Sequence, residues 1–149
     1  QKREAPMFKK LLIAVAAAAN LGAFMFAGAA HADLGQQSGA APTAVVQSGS
    51  FEGLSDHVTK GGVSILHTAS GYVAVLEGDF SLDGAPSPTL GFGKNGFVKE
   101  TEFTKLESKK GLQVYAIPAS INPADYDEFY VWCAKFSVPL GVASLTSAQ

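Results

Sequence analysis

Phe129-Tyr130-Val131-Trp132-Cys133-Ala134-Lys135-Phe136 carries no helical period. Alternation instead puts Tyr130, Trp132, Ala134 and Phe136 on one face and Phe129, Val131 and Cys133 on the other. Both sets are largely apolar, which predicts a strand covered on both sides and therefore central in its sheet. Lys135 follows Cys133 on the second face, near the predicted strand end. An ammonium in that place favours a thiolate, and an apolar surround opposes it; the alternation does not decide between them.

The flanking chain is a succession of short β-rich runs and turn signals. Val63 to His67 and Tyr72 to Leu76 join across Ser70-Gly71, behind Gly61-Gly62, and form a predicted hairpin. Asp83-Gly84-Ala85-Pro86-Ser87-Pro88 is a predicted loop, because two close prolines remove donors from any ladder. Asn95-Gly96 predicts a tight turn between runs 89–93 and 97–103, and Lys109-Lys110-Gly111 a second turn before 112–117. Asn122-Pro123-Ala124-Asp125 predicts one short helical turn with Asn122 as its cap. No sustained 3.6-residue apolar period appears after residue 32. The expected fold is all-β, a single antiparallel β-sandwich or barrel-like domain over 49–145, with 146–149 as a tail.

Ahead of that domain, Met7-Phe8-Lys9-Lys10 leads into an uncharged apolar stretch from Leu11 to Gly28 and then Ala30-His31-Ala32. A basic start, an apolar centre and small residues at the −3 and −1 positions match a secretory signal peptide over 7–32, cleaved between Ala32 and Asp33. The stretch approaches membrane-spanning length, but it is Ala- and Gly-rich and runs directly into the Ala-x-Ala site. The expected product is exported, periplasmic or extracellular, with no stable membrane anchor after cleavage. Residues 1–6 form an upstream extension. Residues 33–48, rich in Gly, Ala, Gln and Ser, are expected to be a flexible lead.

Cleavage removes Lys2, Arg3, Lys9, Lys10 and Glu4, leaving 7 basic against 12 acidic side chains. A domain without arginine and with net negative charge offers no footprint for a phosphate backbone, so nucleic acid is not an expected partner. Exported proteins normally pair their cysteines, and Cys133 is the only one. It is either a packed core residue or a retained reactive group. Both methionines, Met7 and Met25, lie in the removed segment, so no methionine ligand to haem or copper remains. His57, His67 and Cys133 match the ligand count of a blue-copper centre, but no histidine follows Cys133, which disfavours copper. No Cys-x-x-Cys-His attachment site occurs; a haem would be held non-covalently, with Cys133 as ligand. His57 follows Ser55-Asp56 in a loop, where a backbone-bonded surface role competes with a functional one. His67 shares a face with Val63 and Ile65 and reads as strand-end packing. The acidic residues show no calcium-loop or paired-carboxylate spacing, and no Gly-x-Ser-x-Gly, P-loop or HExxH motif is present.

A set of local patterns now adds up: Gly49-Ser50-Phe51, His57 with Gly61-Gly62, Phe80-Ser81-Leu82-Asp83-Gly84 with Pro88, Tyr115-Ala116-Ile117-Pro118, and Val131-Trp132-Cys133-Ala134-Lys135-Phe136-Ser137 with Pro139-Leu140-Gly141. Together they resemble the DM-thirteen domain, an electron-transfer module that accompanies DOMON domains in Skeletor-like animal proteins and stands alone in exported bacterial ones. The resemblance covers about Gln47 to Leu145, and Trp-Cys-x-x-Phe-Ser is its most specific part. It implies an all-β extracellular module whose cysteine, here Cys133, acts as a redox thiol or as ligand to a prosthetic group such as haem. Trp132, Lys135 and His57 are the supporting candidates. One position departs from the family pattern, which often has an acidic residue after Pro88 where this chain has Thr89. The reading is a small redox module served by a redox partner protein rather than a stand-alone enzyme. Its rival is a binding or adhesion module with Cys133 packed in the core.

Overall fold

Residues 43–149 are described in a computed structural model of the chain. The upstream extension, the signal segment 7–32 with its Ala32/Asp33 cleavage point, and the lead up to residue 42 lie outside the described residues. Eleven strands follow one another: β1 (Ala44–Gly53), β2 (Thr59–Lys60), β3 (Gly62–Thr68), β4 (Gly71–Leu76), β5 (Ser81–Leu82), β6 (Pro88–Gly93), β7 (Thr104–Lys105), β8 (Gln113–Ala116), β9 (Glu128–Cys133), β10 (Val138–Ser144) and β11 (Thr146–Ser147). Nine of them form one antiparallel sheet in the order β7-β6-β9-β10-β1-β3-β4-β8, with β11 paired to β1, and β2 pairs β5 separately. The sheet curls into a nearly closed barrel, as the turn spacing predicts.

β1 is the strand that joins the two halves of the curl. Its first part pairs with β3, Ala44 opposite His67 through Ser50 opposite Gly62, and its last part with β10, Phe51 opposite Ala143. The predicted flexible lead over 33–48 therefore needs correction, because Ala44 to Ser48 is strand. Its small and polar composition hides this. The register shifts between Val45 and Gln47, which breaks the alternation, and pairing on both edges supplies what propensity lacks. The tail is corrected likewise, since Thr146 and Ser147 pair with Ser48 and Gln47.

The hairpin of β3 and β4 lies where the sequence puts it, and so does the loop from Asp83 to Ser87. Pro88, read as part of that loop, instead opens β6 opposite Cys133, since a proline is tolerated as the first residue of a strand. The turn at Asn95-Gly96 is in its expected place, and both residues take positive φ (57° and 121°), the geometry an Asn-Gly pair adopts at least cost. The run 97–103 is not a strand. After a single bridge from Phe97 to Gly93 the chain enters a 3-10 turn at Lys99–Thr101, whose buried Thr101 hydroxyl takes the place of a ladder partner for Phe92. The turn at Pro123–Asp125 is also 3-10, and the Asn122 side chain accepts from the Ala124 N–H at 3.3 Å, as expected of a cap.

The inward faces meet in one core. Phe129 packs edge-on against Phe92 (5.0 Å between ring centres) and against Phe51 (6.2 Å), and Ile65, Leu76, Leu90 and Val131 are fully buried around them. Burial of each such side chain contributes roughly 1.5–3 kcal/mol, which is what closes the sheet on itself.

Candidate functional site

β9 is central, between β6 and β10, and both of its faces are covered. Phe129, Val131 and Cys133 point into the core, as alternation requires. On the outer face, Glu128 accepts the Gly96 N–H (2.8 Å) and anchors the Asn95-Gly96 turn. That turn lays Phe97 flat on Trp132 (4.1 Å, 11° between planes) and edge-on to Tyr130 (5.6 Å). The space comes from glycine: a Cβ on Gly91 would stand 2.7 Å from the Phe97 ring, and one on Gly93 2.4 Å from the Tyr130 ring. Trp132 Nε1 is buried within this stack and finds no acceptor among the described residues.

Cys133 is 1% exposed and its Sγ donates to the Pro86 carbonyl at 3.2 Å. Two further contacts tie the same loop to the strand end. The Ala134 N–H donates to the Ser87 carbonyl (3.1 Å), and Pro88 stands opposite Cys133 in the β6–β9 ladder. The loop 83–87 thus lies over the sulfur, with Gly84 and Ser87 in left-handed conformations that set its path. His57 meets the other end of that loop. Its Nδ1 is 3.0 Å from Asp83 Oδ1, and Asp83 Oδ2 accepts the Val58 N–H, also at 3.0 Å. The Val58 N–H and the His57 ring hold the Asp83 carboxyl below the ordinary carboxylate range. The turn that delivers His57 is built on consecutive left-handed residues, Ser55 and Asp56, neither of them glycine. Such positions cost of order 1 kcal/mol each and persist only where surrounding structure imposes them.

Not every candidate gathers here. Lys135 is corrected: the strand ends at Cys133, residues 134–137 form a turn closed by Ser137 N–H to Cys133 carbonyl (2.8 Å), and Lys135 Nζ lies 5.3 Å from the centre of the Phe136 ring. Ser137, with φ of 53°, is what lets the chain reverse so early. His67 stacks on Tyr72 at the end of the β3–β4 hairpin (4.8 Å). Among the described residues no three His, Cys, Asp or Glu side chains converge as a metal-binding group would require. Haem at Cys133 fits poorly too. The sulfur is enclosed by core and by Pro86, and Cys133 lines neither of two clefts, of about 280 and 120 Å³. Thr89 is buried and stands opposite Trp132 in the β6–β9 ladder. Its hydroxyl donates to the Trp132 carbonyl at 3.4 Å. Burial acts to raise the Glu102 carboxyl nearby, but its bond to Lys99 helps to hold it below the ordinary carboxylate range.

The positions of Asp83, Pro86 and Phe97 against the candidate residues were not legible in the sequence, because each contact joins distant parts of the chain. The paired prolines of the 83–88 loop were the nearest available signal.

The family model described as Electron transfer DM13 matches residues 50–145, which include His57, the 83–88 loop, Trp132 and Cys133. The chain belongs to this family. No curated protein and no solved structure matches it. As a DM13 domain it is a redox or electron-transfer module in general character.

Proposed function

We propose that this DM13 domain is exported and works as a small redox carrier through Cys133, whose thiol is stored in closed form beneath the 83–87 loop. The observation that carries the reading is the Cys133 Sγ contact to Pro86 O, made by a loop whose other end is held by the Asp83–His57 pair. A sulfur donating to a carbonyl uses its proton in that bond, and the thiolate is the reactive form. Lifting Pro86 frees the proton to solvent and exposes the sulfur. The thiolate then attacks a partner disulfide, forming a mixed disulfide and releasing one partner thiolate. A thiolate of a second partner then attacks the first partner's sulfur in the mixed disulfide, forming a disulfide between the two partners and releasing Cys133 as thiolate, since this chain has only one cysteine. Export rests on the signal-peptide pattern at 7–32 and on the compartment in which such disulfide partners persist.

The 1% exposure of Cys133 favours a second reading, a binding or adhesion module in which the cysteine is packed core. Labelling of the full native chain with a small disulfide reagent separates the two. In the redox reading the thiol reacts at least about tenfold faster than global unfolding allows, because opening the loop is a local event. Asp83→Asn accelerates the reaction and Cys133→Ser abolishes it. Labelling at the global unfolding rate, unchanged by Asp83→Asn, leaves Cys133 as core.

A further inference from the structure

The curled sheet ends in two edge strands of different character. β7, at one end, is two residues long and carries Lys105, and shortness and charge both keep an edge from pairing with another chain. β8, at the other end, has neither guard. The stretch Gly111-Leu112-Gln113-Val114-Tyr115-Ala116-Ile117 holds no charge, and Pro118 stands only beyond it. Val75 and Val114 share a rung of the β4–β8 ladder; Val75 is half-buried, whereas Val114 is 62% exposed and Leu112 66%. That step from inner to outer strand is what an uncovered edge produces.

The backbone of that edge is unpaired as well. The Ile117 N–H donates to the Tyr72 carbonyl at 2.9 Å, so in the β4–β8 register Gln113, Tyr115 and Ile117 bond to β4, while Val114 and Ala116 turn their N–H and C=O groups outward. Among the described residues no other strand pairs with β8, and no loop backbone meets these groups. An extended strand would satisfy them, and the edge's own sequence supplies one. Laid antiparallel on a second copy about a twofold axis at Val114, it sets Val114 opposite Val114 and Leu112 opposite Ala116, a large side chain beside a small one. The outward groups then bond in pairs. The two copies of Lys110 stand four residues to either side of the axis, roughly 27 Å apart, so no like charges meet. Neighbouring registers fail. With the axis at Tyr115, Leu112 faces Pro118, which has no N–H. With the axis at Gln113, Ala116 faces Lys110, whose N–H already bonds the Ser108 hydroxyl at 3.3 Å.

We propose that β8 is a dimerisation edge: two copies of this chain join β8 to β8 antiparallel, with Val114 on the twofold axis, into one continuous sheet. So short a strand pair falls below the roughly 1,200 Å² of a standard interface, which makes the association weak and concentration-dependent. The proposal is independent of the role given to Cys133.

Sedimentation of the full chain between about 1 μM and about 1 mM tests it. The average mass should rise from monomer towards dimer and stop there. Cys133→Ser should behave alike, since no disulfide is involved. Val114→Lys sets like charges across the axis and should weaken association at least about tenfold, and Val114→Glu should do the same. The two variants mixed in equal amounts should associate again, as a contact between the two copies of position 114 requires. Amide exchange needs no substitution: Val114 and Ala116 should gain protection with concentration while Tyr115 stays constant. Should either variant fail to fold, that exchange pattern decides the matter alone. The proposal is overturned by a chain that stays monomeric throughout the range, by growth beyond the dimer, by association that the Val114 variants leave unchanged, or by protection gained elsewhere and not at Val114 and Ala116.

Discussion

Thr101 shows how much one hydroxyl can hold. Its Oγ1 accepts the Phe92 N–H at 2.7 Å and shares its own proton between the carbonyls of Val98 (2.7 Å) and Phe92 (2.9 Å), the two bonds to Phe92 being out of solvent. Thr101→Val keeps the shape and orphans a buried backbone donor, so denaturant unfolding should record a loss of about 1–3 kcal/mol. Titration gives a second prediction at the same scale. Burial and the neighbouring Glu128 carboxylate push the Tyr130 phenol up to about 12 from its ordinary value of 10.0. A raised pKa favours the protonated folded form, so this contribution is complete below pH ~10 and is lost as pH rises towards ~12. Tyr130→Phe should flatten the fall in stability over that interval, and an unchanged alkaline profile would count against the burial of the phenol. Residues inside β9 were legible in the sequence because alternation is a local signal. Lys135 was misplaced because nothing local announces that Ser137 turns left-handed and ends the strand at Cys133.

At the scale of elements, the outer aromatic plate is held by two glycines and a turn rather than by a strand. Gly91→Ala forces a Cβ to within 2.7 Å of Phe97 and 3.2 Å of the Glu102 backbone. The ring can swing, but the backbone of the Lys99–Thr101 segment cannot follow without disturbing Thr101. The expected cost is about 1–3 kcal/mol, as for other overpacking changes. Trp132 is the single tryptophan, so its fluorescence reports the plate directly. Gly91→Ala should change its emission together with the loss of stability, and a destabilised variant with unchanged emission would place the strain elsewhere. The turns at Asn95-Gly96 and Asn122-Pro123 were readable because their chemistry is local. The segment 97–103 was not, since the same apolar spacing serves a strand or a loop that packs its aromatics onto a neighbouring sheet face.

For the whole molecule, the class of fold was legible and the order of its strands was not. Turn signals say where strands end, and they do not say that β9 pairs with β6 or that β1 lies between β10 and β3. Those pairings join residues far apart in sequence, so the loop-closure entropy they cost is repaid only late in folding, and refolding should be slow for a chain of this size. β1 concentrates the effect. Ala44, Val45, Gln47 and Ser48 supply four of its six registered pairs with β3, and Gln47 and Ser48 supply both pairs with β11. A chain begun at Gly49 instead of Asp33 keeps Phe51, the β10 pairing and two β3 pairs, but leaves most of the β3 edge and the last strand without partners. Its midpoint of thermal unfolding should fall by roughly 10 °C or more, given that each 1 kcal/mol is worth about 4–8 °C in a domain of this order. Amide exchange should show the loss concentrated in β3 and at Thr146–Ser147, with β6 and β9 still protected. A truncated chain within about 2 °C of the longer one would mean that the strand before Gly49 adds length and no stability, and that the barrel closes without it.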